Sequence, residues 1–187
     1  NASDGVLDNR DDVVGRLERI RRTLTRPLPH DRWWGWLLPL AVTVLAGILR
    51  FWQLGRPASV TFDETYYAKG GISLWRYGIE RDAIENADAL LAQGNADVFE
   101  ATADYVVHPL FGKWLIGSGT EIFGISPFGW RFATALLGTL MVLVVARAGR
   151  RLFGSTLLGS AAALLLAVDG TAIALSRIAL LDGILAA

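Results

Sequence analysis

The chain has 187 residues, 52% of them hydrophobic and 19% charged, with balanced acidic and basic side chains and no cysteine. Its mean hydropathy is positive, and its apolar residues gather in uninterrupted blocks of about 20, the length that spans a hydrocarbon core about 30 Å thick. A soluble globular domain is excluded on that ground, and disulfides and thiolate metal sites are excluded by the missing cysteine.

Residues 1–32 are polar, with seven Arg and six acids. Val13, Val14, Leu17, Ile20 and Leu24 recur at helical spacing, which predicts a short amphipathic helix over 11–25 with Asp11 or Asp12 near its start. Its far end is basic, and Pro27 and Pro29 break it before an aromatic belt at Trp33, Trp34 and Trp36 of the kind found at membrane interfaces. The positive-inside rule makes this end cytoplasmic, so a first span over 33–52 runs outward. The block is too long for the apolar core of a signal peptide and lacks a small-residue cleavage site after it, so it is expected to stay as an anchor.

Further apolar segments cover 128–146 and 156–175, and another begins at Ile178. Arg147, Arg150 and Arg151 lie between the first two and are expected to form a cytoplasmic loop. Parity then places 53–126, together with Ser176 and Arg177, on the outer side. The apolar piece 111–125 is short and interrupted by Lys113, Gly117, Gly119 and Glu121, which fits a juxtamembrane or re-entrant helix better than a span. Residues 63–78 read as an aromatic helix suited to the interface. Residues 80–104 are acidic and Ala-rich, with Arg81 as the sole counter-charge, and read as a solvated helical insertion that turns near Gly94 and Asn95.

Adjacent carboxylates at Asp63 and Glu64 open the outer loop, about ten residues after the first span. They are candidates for chemistry near a membrane surface, or else a helix start, with Asp63 as cap and Glu64 at the positive end of the dipole. Five short pieces fall on the same side: Asp63 with Glu64, His108 with Pro109, Lys113, Arg131, and Arg177 with Asp182. Each has a structural alternative. Lys113 and Arg131 can snorkel to headgroups, Pro109 can begin a helix, and Asp182 can sit at a helix N-terminus. Together they suggest cations that hold an anionic leaving group while a carboxylate accepts a proton from the attacking nucleophile.

These residues resemble a family. Phe62-Asp63-Glu64 followed by Tyr66-Tyr67-Ala68-Lys69, then His108-Pro109-Leu110-Phe111-Gly112-Lys113-Trp114, then Gly129-Trp130-Arg131-Phe132, and then Ser176-Arg177 with Leu181-Asp182 are similar to the N-terminal third of the protein O-mannosyltransferases. The resemblance covers about 33–187. One departure is local: the family usually reads His-Pro-Pro-Leu-Gly-Lys, and here Leu110 stands in place of the second proline while His108 and Lys113 keep register.

The resemblance implies an all-α, multispanning GT-C membrane bundle with a long exterior loop that carries juxtamembrane helices. It implies a cytoplasmic segment over 1–32 and part of a catalytic transmembrane domain over 33–187. It implies transfer of mannose from a polyprenyl or dolichyl phosphate to Ser or Thr of secreted or membrane proteins, on the periplasmic or lumenal face and with inversion. By the same resemblance Asp63 is the general base, and Glu64 positions it or the acceptor. Lys113, Arg131 and Arg177 bind the lipid phosphate, and His108 and Asp182 orient the site. No metal, cofactor or nucleic acid is expected. The alternatives are transfer of another lipid-linked sugar or to another acceptor, and a transporter or channel, which would put its charges near helix centres.

Overall fold

The computed structural model describes residues 13–16, 18, 19, 21, 22 and 33–187. The described parts of 11–25 are helical, and the rest of the expected amphipathic segment lies outside the described residues. From Trp34 onward the chain is mostly helical: α1 (Trp34–Phe51), α2 (Glu64–Tyr77), α3 (Ala87–Ala92), α4 (Leu110–Phe123), α5 (Pro127–Phe153), α6 (Thr156–Val168), α7 (Gly170–Ser176) and α8 (Leu181–Ala186). A pair of short strands, β1 (Arg81–Ala83) and β2 (Phe99–Ala103), flanks α3.

Among the described residues, α5 is the one helix long and apolar enough to cross a bilayer by itself. Ser126 starts it, accepting the Gly129 N–H on its hydroxyl, with Pro127 at the first helical position, where a missing N–H costs nothing. The helix runs through Arg147, Arg150 and Arg151, so these cations occupy its last turns rather than the loop expected there. That placement favours them, because cations suit the negative end of the helix dipole.

The expected continuous segment 156–175 is two helices. Asp169 ends α6 and caps α7 by accepting the Ala172 N–H at 2.7 Å, and the axes differ by 64°. The break frees carbonyls at the end of α6, and Arg50 of α1 takes them up. Its guanidinium is 1% exposed and donates to Ala167 O, Leu166 O and the Ser176 hydroxyl. An arginine inside the first apolar block is thus the clamp on a broken helix.

α1 and α5 run antiparallel. At one end Arg147 donates to Gly35 O at 2.8 Å and lies over the Trp36 ring, and at the other Phe51 packs edge-on to Phe132. α6 returns along both, and Val42, Ala46, Val142, Ala146, Ala163 and Ala167 form their shared core. Small side chains dominate that seam, which lets the helix backbones approach closely.

The part of the fold built on α2, α3 and α4 has a separate core in which Tyr67, Ala68, Ile72, Leu91, Val98, Ile116 and Trp130 are buried. Burying each aliphatic side chain fully contributes about 1.5–3 kcal/mol. The segment 80–104 belongs to this core and is not a solvated helix. Leu91 and Val98 anchor it, and β1 pairs antiparallel with β2, so the fold is not wholly α. The turn expected near Gly94 is present, with Gly94 in the left-handed region that favours glycine.

α2 and α4 cross at glycines. A Cβ on Gly71 would lie 2.7 Å from Lys113 O and 2.9 Å from Gly117 N, both backbone atoms that cannot move aside. Gly71→Ala is therefore expected to pry the two helices apart and cost about 1–3 kcal/mol of stability, measured by thermal melting of the purified protein in detergent. An unchanged melting temperature would mean that the crossing is looser than this geometry.

Candidate active site

Asp63 and Glu64 stand at the start of α2 and face different surroundings because the turn before them separates their side chains. Phe62 adopts φ 52°, a left-handed conformation that is unusual for a bulky residue. Glu64 N donates back to Thr61 O. The Glu64 carboxylate accepts the Thr61 N–H at 2.9 Å and the Thr61 hydroxyl at 2.7 Å, one half of a capping box formed by the Thr61-x-x-Glu64 spacing.

Glu64 is fully buried and bound side-on by Arg131 from the first turns of α5. Nε meets Oε1 at 2.6 Å and the terminal nitrogen Nη2 meets Oε2 at 2.7 Å. Arg131 also donates to Leu54 O, Pro57 O, Ser59 O and the Thr61 hydroxyl. A guanidinium has five N–H groups, and here every one has a protein acceptor. The expectation that Arg131 binds a phosphate meets a side chain already fully engaged with the loop 54–61 and with Glu64.

Burial favours the protonated form of Glu64. The hydrogen bond from Arg131, the Ala179 N–H at 3.0 Å, the charge of Arg131 and the Thr61 hydroxyl outweigh it and hold the carboxyl below its ordinary range. Glu64 is thereby fixed as an anion, which suits a positioning group and not a proton acceptor.

Asp63 occupies the N-cap position of α2, but its side chain makes no capping hydrogen bond, so the structural alternative of a cap does not describe it. Among the described residues it has no ion-pair partner. It lines a cleft of about 380 Å³ together with Tyr66, Tyr67, Glu80, Asp104, Tyr105, Val107, His108 and Lys113. The chain has brought His108 and Lys113 to Asp63 by different routes. Pro109 leads directly into α4, which leaves His108 exposed at the rim with its ring edge-on to Tyr67, 5.6 Å between centroids. Lys113, on the first turn of α4, is 3% exposed and donates to both carboxylate oxygens of Glu80 at 2.9 and 2.7 Å.

Tyr67 joins the two halves of the site. Burial, then the charges of Asp63 and Asp182, hold its hydroxyl above the ordinary phenol range, so it remains a neutral donor close to both carboxylates. Asp182 itself is exposed on the first turn of α8. Arg177 lies elsewhere. It donates to Leu49 O, Arg50 O, Trp52 O and Gln53 O and so closes the C-terminus of α1, with its Nε–H not used on these carbonyls.

Of the residues singled out from the sequence, the cleft therefore gathers Asp63, His108 and Lys113, while Asp182 lines a separate cavity with Arg50 and Ser176. Glu64, Arg131 and Arg177 form the frame around it. Sequence reasoning missed Tyr67, which had been read as an interfacial aromatic, and Glu80, which lay within a segment assigned no role. A signal for Glu64 was present in the Thr61 spacing. None was available for Glu80, because its partner is 33 residues away.

The family model of the dolichyl-phosphate-mannose-protein mannosyltransferases matches residues 40–187. The chain belongs to this family. It is 38% identical over 157 residues to a polyprenol-phosphate-mannose–protein mannosyltransferase of Mycolicibacterium smegmatis, covering 82% of this chain and 27% of that protein. It is 39% identical over 160 residues to the protein of the same name from Mycobacterium tuberculosis, covering 84% and 27%. A Corynebacterium glutamicum relative of that name is 40% identical over 77 residues, covering 41% and 15%. The chain thus spans about a quarter of the length of the first two mannosyltransferases. No solved structure matches it.

The Glu64–Arg131 pair sets an acid limit on this fold. A carboxyl held below its unfolded value, ordinarily about 4.3, contributes stability that is complete above that value and is lost as pH falls through the folded one. Melting between about pH 7 and 3 should therefore show a loss confined to the acid end. Glu64→Gln should be less stable throughout and should lack that part of the acid loss. Identical acid profiles for the two proteins would mean that Glu64 is not the group responsible.

Proposed function

We propose that this chain carries the acid–base cleft of a multispanning GT-C enzyme that transfers mannose from polyprenyl-phosphate mannose to Ser or Thr hydroxyls of secreted or membrane proteins. The observation that carries it is Asp63: a carboxylate without a capping bond or ion-pair partner among the described residues, set in a cleft beside His108 and Lys113.

In this reaction Asp63 accepts the acceptor's hydroxyl proton as the oxygen attacks the anomeric carbon. The bond from that carbon to the phosphate oxygen breaks on the opposite face, which gives inversion, and the polyprenyl phosphate departs with the electron pair. Lys113 and His108, from within the cleft, are the groups placed to meet the negative charge that develops there. Arg131 acts through Glu64, holding the turn that presents Asp63. Tyr67 borders the cleft and is available to orient a sugar hydroxyl, whereas Asp182 lines a separate cavity with Arg50 and Ser176.

The arrangement in the bilayer follows from the helix ends. Arg147 against Trp36 puts the basic end of α5 beside the start of α1, so the cationic residues at that end of the two helices gather on one side, which the positive-inside rule makes cytoplasmic. The cleft lies at the opposite end. Leu37, Leu40, Val44 and Ile48 on α1, and Leu140 and Val144 on α5, are exposed apolar side chains that suit lipid or neighbouring spans. On this reading α1, α5 and the bent α6–α7 pair are the spans, and α4 lies at the membrane surface. In a chain without native cysteine, Glu100→Cys should react with an impermeant maleimide on intact cells, and Arg151→Cys only after permeabilisation. The reverse pattern would invert the topology.

The base is tested by Asp63→Asn in membranes carrying the full-length protein, with labelled polyprenyl-phosphate mannose and a Thr-rich peptide. The variant keeps shape and hydrogen bonding but cannot take the proton, so turnover should fall by about 10²-fold or more with donor KM nearly unchanged. Full activity would remove Asp63 from the mechanism.

A further inference from the structure

We propose that Glu80 is a positioning residue for sugar transfer: it fixes the Lys113 ammonium on the cleft wall beside Asp63, which makes the acidic segment 80–104 part of the active site. The proposal rests on the transferase reading of the cleft.

Lysine has a flexible four-carbon stem, and near a membrane surface it normally extends its charge to water or headgroups. Lys113 does the opposite. Its side chain is 4% exposed, as is that of Glu80, and both oxygens of Glu80 hold its nitrogen. The space for the pair comes from Gly70, where a Cβ would stand 3.0 Å from Glu80 Oε2 and 3.1 Å from Lys113 Cδ. The backbone on either side of Glu80 is pinned by one hydroxyl: Ser73 Oγ donates to Ile79 O at 2.9 Å and accepts the Arg81 N–H at 3.0 Å. A buried ion pair is a poor device for stability alone, since apolar side chains of similar volume commonly serve as well. This one lies on the cleft, where its charge has a use.

Both Glu80 oxygens lie on one side of the ammonium, which has three N–H donors, so donor capacity remains for a ligand. Glu80 also offsets the lysine charge. The donor phosphodiester carries one negative charge, and the departing phosphate gains a second as the bond to the sugar breaks. A partly neutralised, rigidly held ammonium binds the first state weakly and meets the added charge of the second, so its effect falls on the transition state more than on the ground state. Loss of Glu80 should accordingly reduce kcat more than it changes donor KM.

The same segment has a second clasp that serves as a control. Asp88 accepts the Thr65 hydroxyl at 2.6 Å and pairs with Lys69 at 3.1 Å, away from the residues that line the cleft. In the full-length protein, Glu80→Gln is expected to lower kcat about tenfold or more while donor KM stays within about threefold. Thr65→Val combined with Asp88→Asn loosens the segment without touching Lys113, and should leave kcat within about twofold. If Glu80→Gln melts below the assay temperature, Glu80→Asp keeps the charge but withdraws it by one methylene, and should fold with turnover lowered several-fold. Native turnover in either folded Glu80 variant, or an equal loss in the Thr65–Asp88 variant, overturns the proposal; the latter would mean that Glu80 only docks the segment. Asp63→Asn separates the two levels. If the unsubstituted protein transfers no mannose in that assay the transferase reading fails, and if Asp63→Asn is fully active the acid–base assignment of the cleft fails, whereas an inactive Asp63→Asn beside a fully active Glu80→Gln sinks only the role of Glu80.

Discussion

The half of this protein that holds the cleft depends on one buried ion pair. Arg131 comes from the start of the longest apolar helix, and Glu64 from the start of the helix that forms the cleft, so their bidentate contact at 2.6 and 2.7 Å ties the helical bundle to the site. Two charges out of water carry a desolvation penalty of several kcal/mol each, and the geometry must be nearly complete to offset it. Here it is: Arg131 also gathers the carbonyls of Leu54, Pro57 and Ser59, and Glu64 also takes the N–H groups of Thr61 and Ala179. The irregular stretch 54–61 has little secondary structure of its own. Its backbone acceptors are met by a side chain instead of by a ladder, and that defines where α2 begins.

The same economy recurs at two other arginines. In a low-dielectric setting a helix end exposes carbonyls that need donors, and water is scarce. Arg50 supplies them at the break after α6, and Arg177 supplies them at the end of α1. Both side chains cross between elements more than 100 residues apart, so they fix tertiary position as they satisfy backbone groups. Arginine suits this task better than lysine, because its planar fork reaches several acceptors at once and stays charged.

Much of this was legible in the sequence. Apolar block length located α1, α5 and the α6–α7 region, and the interrupted pattern around Lys113 separated α4 from them. The acidic pair and the His108–Lys113 piece named three of the residues that meet in the cleft. What the sequence pattern could not deliver was the division of labour among charges. Arg131, Arg177 and Lys113 look alike as cations on one side of a membrane, yet one is saturated by a loop, one closes a helix and one faces the cleft. That difference is set by carbonyl positions, which have no side-chain signature. The bend at Asp169 was missed for a related reason: a single polar residue in an apolar run preserves the hydropathy of a span, and only the capping bond to Ala172 marks it as a stop. Segment 80–104 was misjudged because charge dominated its composition, while the sparse Leu91 and Val98 decide that it packs.

The adjacent carboxylates carry the last step. Successive helical residues point about 100° apart, so a helix that turns Glu64 toward Arg131 necessarily turns Asp63 away from it. The left-handed Phe62 and the Thr61–Glu64 bonds fix that rotation at the first turn, before α2 has any other contact to define it. Glu64 is then held ionised by a cation it cannot leave, and it has no proton to exchange at working pH. Asp63, with no such partner among the described residues and an open cleft before it, has its lone pairs free for the proposed role. Two identical functional groups in sequence are made unlike by where one arginine ends. The base proposed here is the carboxylate that Arg131 does not reach.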